Sequence, residues 1–153
     1  MGQKTAWDAA ALTEADINLY LMGEGGAWTS WTPTVTQSGS VPVTNTRSRF
    51  ARYGRTIHFN ANLSVTGTGT ASNEIVISLP VAAAAVMVAG TGWIYDSSAS
   101  TAFVGPLQTS AGSSMVVLAG GASSGGAYGL VVMTAALASG DLIRVSGTYE
   151  AAS

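Results

Sequence analysis

Apolar and polar positions alternate with a period of two along much of this chain. Ile57, Phe59, Ala61, Leu63 and Val65 are apolar, with His58, Asn60, Asn62 and Ser64 between them. A period of two puts successive side chains on opposite faces, which predicts a strand with one buried and one solvated side. Near the other end, Ile143, Val145, Gly147 and Tyr149 alternate with Arg144, Ser146 and Thr148 in the same way. Between these lie a strand at 74–79 with Ile75, Ile77 and Leu79 on one face, and one at 87–95 that places Trp93 and Tyr95 together. A short strand is expected around 102–104, and continuous apolar strands at 115–118 and 128–134. Arg47, Arg49, Phe50, Arg52 and Tyr53 form the strand that enters a tight hairpin at Tyr53-Gly54-Arg55. Gly54 supplies the positive φ that such a turn needs, most simply as Gly-Arg in a type II′ turn.

The first 27 residues break this pattern. Thr13-Glu14-Ala15-Asp16 reads as a helix start with Thr13 as N-cap, and Leu12 and Ile17 are placed to form a hydrophobic staple. Ile17, Leu19, Tyr20, Leu21 and Met22 continue as a short apolar helix that Gly23 can cap. A helix of about ten residues is marginal alone, so its apolar side needs a docking surface. The chain therefore divides into an N-terminal docking segment, 1–27, and a β-rich head, 28–153. Pro33, Pro42, Pro80 and Pro106 and clusters of Gly, Ser and Thr punctuate the head. The predicted architecture is all-β: an antiparallel β-sandwich or jelly roll of about eight strands, with a short N-terminal helix. The alanines at 82–85 are the one place in the head where a single helical turn competes with strand.

Composition narrows the function classes. The chain has no cysteine and one histidine, so no disulfide framework is available and a metal site would rest almost wholly on carboxylates. Charged residues make up 9% of the sequence against about 25% in ordinary soluble domains. Such a neutral, hydroxyl- and amide-rich exterior suits a protein packed in an assembly. The net charge of −2 disfavours nucleic acid as a partner. The longest apolar run, 81–89, is about half of the roughly 20 residues a membrane helix needs, so no membrane insertion is expected. The first residues show neither a signal core nor a myristoylation motif, which predicts a soluble protein outside the standard secretory route.

Candidate chemistry is sparse. His58 could serve as a general base with Asp96 or Asp141, yet it occupies an outward strand position, and surface or interface is its simpler role. Glu14 and Asp16 are explained by helix capping. Gly67-Thr68-Gly69 and the glycines at 120–126 match neither a P-loop nor a dinucleotide fingerprint. Four of the six basic residues, Arg47, Arg49, Arg52 and Arg55, cluster at the hairpin. They can blunt an edge, pair with Glu74, Asp141 or Glu150 across a subunit contact, or hold an anionic partner. The subunit contact ranks first, because few other charges exist to occupy them. Trp28, Trp31, Tyr53, Trp93 and Tyr95 are candidates for stacking on sugars, against the plainer reading as core and interface anchors. Neither a catalytic residue nor a cofactor is predicted.

Thr5-Ala6-Trp7 and Leu12 to Leu21 resemble the lead-in segment of many short phage virion proteins. Trp28-Thr29-Ser30-Trp31-Thr32-Pro33-Thr34-Val35, then Arg52-Tyr53-Gly54-Arg55-Thr56-Ile57-His58-Phe59, are similar to a pattern of actinobacteriophage minor tail and related structural proteins. The closing stretch from Ser139 to Glu150 looks like the end of those domains and, more loosely, like the last strands of trimeric tumour-necrosis-factor-like jelly rolls. The resemblance implies a non-enzymatic virion component, made in the host cytoplasm, forming a homotrimer and contacting other phage virion proteins. It places Leu12, Ile17, Tyr20 and Leu21 at a particle contact beside the four arginines. A tail location, as a minor tail or fibre-tip head able to bind host cell-surface glycan, ranks ahead of a capsid decoration role. A glycan-depolymerising enzyme is the remote alternative, since it needs two carboxylates facing each other in a cleft.

Overall fold

The computed structural model describes residues 27–109, 112–117 and 135–152. The predicted helix of the docking segment, the glycines at 120–126 and the predicted strand at 128–134 lie outside the described residues. Among those described, every regular element is a strand: β1 (Thr29–Ser30), β2 (Val35–Gln37), β3 (Gly39–Val41), β4 (Val43–Tyr53), β5 (Thr56–Val65), β6 (Ile75–Ala83), β7 (Met87–Asp96), β8 (Thr101–Thr109), β9 (Gly112–Val117) and β10 (Leu142–Glu150). The alternating stretches at 57–65 and 143–149 fall within β5 and β10. The first three strands were not distinguished by pattern, since two or three residues are too few to show a period. The alanines at 82–85 make no helical turn; β6 runs through Ala83 and the chain then bends.

All pairings are antiparallel, and the strands form one continuous ladder in the order β1-β4-β5-β10-β7-β8-β9-β6-β2-β3. That ladder cannot lie flat. β3 stands at one end and β4 next to the other, yet Pro42 alone joins them in the chain. Backbone bonds also cross between distant places in the order: Ala84 N–H donates to the Glu150 carbonyl (2.9 Å) and Ala152 N–H to that of Ala82 (2.8 Å). The ladder therefore folds back on itself into a β-sandwich-like form. One side is the run β1-β4-β5-β10-β7-β8, the other the run β9-β6-β2-β3.

The core lies between them. Ile57, Phe59, Leu63, Ile143 and Val145 from the larger run meet Val35, Val41, Ile75, Ile77 and Leu79 from the smaller. Enclosing each such side chain contributes about 1.5–3 kcal/mol. Trp31 packs edge-on against Phe59 with centroids 6.1 Å apart, and Phe59 does the same with Tyr149 at 5.7 Å. Tyr149 also ties the two runs together: its hydroxyl donates to the Val81 carbonyl (2.6 Å) and accepts from Val81 N–H (3.2 Å). Burial pushes this phenol up to about 12, against the opposing pull of the Val81 N–H.

Two prolines set where pairing stops. β9 pairs with β8 only from Leu107 onward, directly after Pro106. Its pairing with β6 breaks between Ser78 and Ala83, the interval that contains Pro80. Proline has no N–H to give to a ladder. Gly90 and Gly147 face each other across β7 and β10, and a Cβ on Gly147 would fall on the Ala89 carbonyl.

Candidate functional site

Strand register assembles one face from residues scattered through the sequence. Inward positions on β5 and β10 are taken by the core, so the intervening residues point outward from the larger run. Laterally paired residues share a face. One row runs Arg47, Asn62, Arg144, Trp93, Val104 across β4, β5, β10, β7 and β8. The next runs Arg49, Asn60, Ser146, Thr91, Pro106, and the third Ala51, His58, Thr148. The face is thus polar and basic over β4, β5 and β10, then aromatic and apolar over β7 and β8, where Val88 and Val104 are exposed.

Two Arg–Trp stacks mark its ends. The Arg49 guanidinium lies 4.9 Å from the Trp28 ring centre, and that of Arg144 lies 4.8 Å from Trp93. Trp93 is in turn stacked on Tyr95, with rings 5.8 Å apart and 5° from parallel. Of the five aromatics proposed for stacking on a sugar, Trp28, Tyr53, Trp93 and Tyr95 reach this face. Trp31 does not: it points into the core and is 8% exposed. The reason is spacing, since an odd separation of three in near-extended chain sends Trp28 and Trp31 to opposite sides.

Between Trp28 and β10 the face sinks into an open groove of about 700 Å3. Ala51 forms its floor, because a methyl group leaves space between taller neighbours. Trp28 and Tyr53 flank it on one side and His58, Asn60, Ser146 and Thr148 continue it across. Tyr53 meets the His58 ring edge-on at 5.7 Å, and His58 Nδ1 shares a 2.9 Å hydrogen bond with Thr148 Oγ1. Tyr53 was among the aromatic candidates and His58 was not. Tyr53 follows Ala51 by two along β4, whereas His58 reaches the groove only through the β4–β5 register, which sets it opposite Ala51.

The hairpin turns as expected: Gly54 has φ +58° and Arg55 keeps a negative φ, which suits type II′. Its arginines have separate surroundings. Arg55 pairs with Glu150 at 3.1 Å within the same chain and reaches the Ala151 carbonyl. Arg52 Nε donates to the Gly54 carbonyl at 2.7 Å, bracing its own turn. Arg47, Arg49 and Arg144 have no carboxylate within ion-pair distance among the described residues. Leu12, Ile17, Tyr20 and Leu21 lie outside the described residues.

The carboxylates serve turns. Asp96 Oδ1 accepts from the N–H groups of Ser98 and Ala99 and the Ser98 hydroxyl. Those bonds, led by Ala99, hold its pKa below the usual carboxylate range although burial works against them. Asp141 is enclosed and accepts from Ser97 and from Ala138 N–H, closing the turn before β10. Neither bonds to His58, so the acid–base pairings considered for that histidine are not formed. Among the described residues no group of three or more His, Asp or Glu side chains is placed to hold a metal ion. No helix among them is long and apolar enough to cross a membrane.

The fold and the face define an antiparallel, sandwich-like β protein with one aromatic, basic outer surface. No family model matches the chain, and neither does any curated protein or solved structure.

Proposed function

We propose that this chain is a non-enzymatic structural protein of a bacteriophage virion. In this reading it is a homotrimeric, tail-associated sandwich of jelly-roll type, docked through its N-terminal segment and presenting its outer sheet face to host surface glycan. The observation that carries the binding role is that face: Trp28, Tyr53 and Trp93 stand among amide and hydroxyl side chains, a composition suited to stacking and hydrogen bonding rather than to bond cleavage. Asp96 and Asp141 are engaged in turns and Glu150 is paired with Arg55, which favours binding over glycan hydrolysis. The virion assignment rests on the sequence patterns at the lead-in, around Trp28 and at the hairpin. Sparse charge supports it, since a neutral exterior suits a packed assembly.

Gold labelling of the protein on intact particles tests the reading directly. Label at the tail is expected; label on the head would turn the assignment to a capsid decoration protein, and no label would sink the virion role. Light scattering should give about three times 15.4 kDa for the purified chain. Exchanging Ile17 and Leu21 for serine in the full chain should leave the head folded and abolish incorporation into particles. Normal incorporation would show that the segment is not the anchor.

A further inference from the structure

We infer that the groove between Trp28 and Thr148 is a binding site for an anionic saccharide polymer, one whose sugar rings carry carboxylate or phosphodiester groups. The inference deepens the glycan-binding part of the proposed function and specifies the ligand's charge and position. Three observations carry it.

The first is charge. Residues 27–152 hold five arginines against four carboxylates, whereas residues 1–26 hold Lys4 against Asp8, Glu14, Asp16 and Glu24. On the outer face the imbalance is sharper. Arg47, Arg49 and Arg144 project there without a carboxylate partner among the described residues, and Glu150, on the same strand as Arg144, is engaged by Arg55. A guanidinium in a half-covered position gains most from a charge-assisted bond to an anionic oxygen. Arg49 is so placed: it is half-buried, stacked on Trp28, and its Nε has no acceptor.

The second is the pairing of stacking surface with hydrogen-bonding groups. Trp28 and Tyr53 are 48% and 45% exposed, which leaves ring surface open beside a floor made shallow by Ala51. Asn60 and Ser146 sit in the Arg49 row, and His58 and Thr148 in the next. Hydroxyls and amides of this kind match the sugar ring's own hydroxyls, while the aromatic faces take its C–H surface. A flat apolar protein partner would find little use for that row.

The third is extent. The Arg49–Trp28 stack and the Arg144–Trp93 stack are separated by the β4, β5, β10 and β7 spacings, about 14 Å across the sheet. The same cation-on-aromatic device at both ends suits a repeating ligand, with anionic groups recurring along it. A single monosaccharide would fill only the Trp28 end.

Full-length protein on an array of carboxylated glycans, their methyl-esterified counterparts, phosphodiester-linked wall polymers and neutral oligosaccharides tests this. Retention of carboxylated or phosphodiester members, and loss of the former on esterification, is the expected result; which of the two is retained identifies the source of the charge. Trp28→Ala and Arg49→Gln should each weaken retention about tenfold or more, while Val88→Ser, on the same sheet but outside the groove, should leave it unchanged. Far-UV circular dichroism on each variant separates lost binding from lost fold, and Tyr53→Ala gives a second exposed position if Trp28→Ala is poorly folded. Retention of neutral members alone, no retention of any glycan, or retention indifferent to both substitutions would overturn the proposal. The array needs no particle, so its failure leaves the labelling result, and the virion reading, standing independently.

Discussion

β5 and β10 each present two faces built from the same few residues, and the two are governed by different demands. Inward, Ile57, Phe59, Leu63, Ile143 and Val145 are almost without exposed surface. Outward, Asn60, Asn62, Arg144 and Ser146 contact solvent and one another across the strands. The inner face is constrained by volume, because interiors are close-packed and an absent methyl group is felt. The outer face is constrained by chemistry, where a side chain can change with little effect on the fold and a large effect on what the surface can hold. A pair of substitutions one residue apart should show this most strongly. Ile57→Ala is expected to cost about 2–5 kcal/mol in urea unfolding, from lost burial and the cavity left behind. His58→Ala, its outward neighbour, should change stability by about 0.5 kcal/mol or less. Comparable losses at both positions would mean that the outer face is itself covered.

That contrast also explains what was legible beforehand. Alternation revealed β5 and β10 because one face of each is apolar over seven to nine residues. It revealed the type II′ turn at Gly54, since φ above zero leaves a compositional mark. It could not reveal that Trp28, Tyr53 and Thr148 share a groove, for that depends on registers between strands nearly a hundred residues apart in the chain. Nor could it separate Trp28 from Trp31, which look alike as letters and point to opposite sides. Arg55 was expected to look across a subunit boundary for its partner; the closing strand brings Glu150 to it within the chain.

A polar residue on the inner side sharpens the comparison further. Gln37 is fully enclosed at the end of β2, accepting from Leu137 N–H (2.9 Å) and donating to the carbonyls of Ala135 (3.1 Å) and Asn73 (3.4 Å). It satisfies backbone groups of two segments that have no ladder partner there, which is why a glutamine stands in a core position. Gln37→Leu should destabilise by about 1–3 kcal/mol despite being more apolar, because buried N–H and carbonyl groups are left unmade. A neutral or stabilising result would show that those segments find other partners. No alternating pattern announces such a residue.

Tyr149 gives the next effect in size, and one that pH can resolve. Tyr149→Phe removes the link to Val81 and should cost about 1 kcal/mol at neutral pH. The folded state raises this phenol from its ordinary value of 10 to about 12, so it holds the proton more tightly than the unfolded chain does. Its contribution is complete below pH 10 and is lost as pH rises through 12. Stability measured across that interval should fall more steeply in the parent than in Tyr149→Phe. Parallel curves would remove Tyr149 as the alkaline-sensitive link between the two runs.

The smallest expected effect belongs to the outer rim and bears on assembly. Arg55 and Glu150 are both about half exposed, so their 3.1 Å pair is screened by water and holds two long side chains in place for little return. Arg55→Ala should therefore change the stability of the isolated chain by about 1 kcal/mol or less, and less again in high salt. Arg52 is likewise spent on its own turn. If the hairpin serves only its own fold, reversing both charges with Arg52→Glu and Arg55→Glu leaves the mass in solution unchanged. If the hairpin also forms the subunit contact, the same reversal reduces a trimer to monomers while the melting of the monomer barely moves. The two measurements separate because a screened pair on one surface is weak, whereas like charges brought together across a closed contact repel with little water to shield them. Light scattering beside thermal unfolding thus reads whether these arginines belong to the inner economy of the chain or to its outer face.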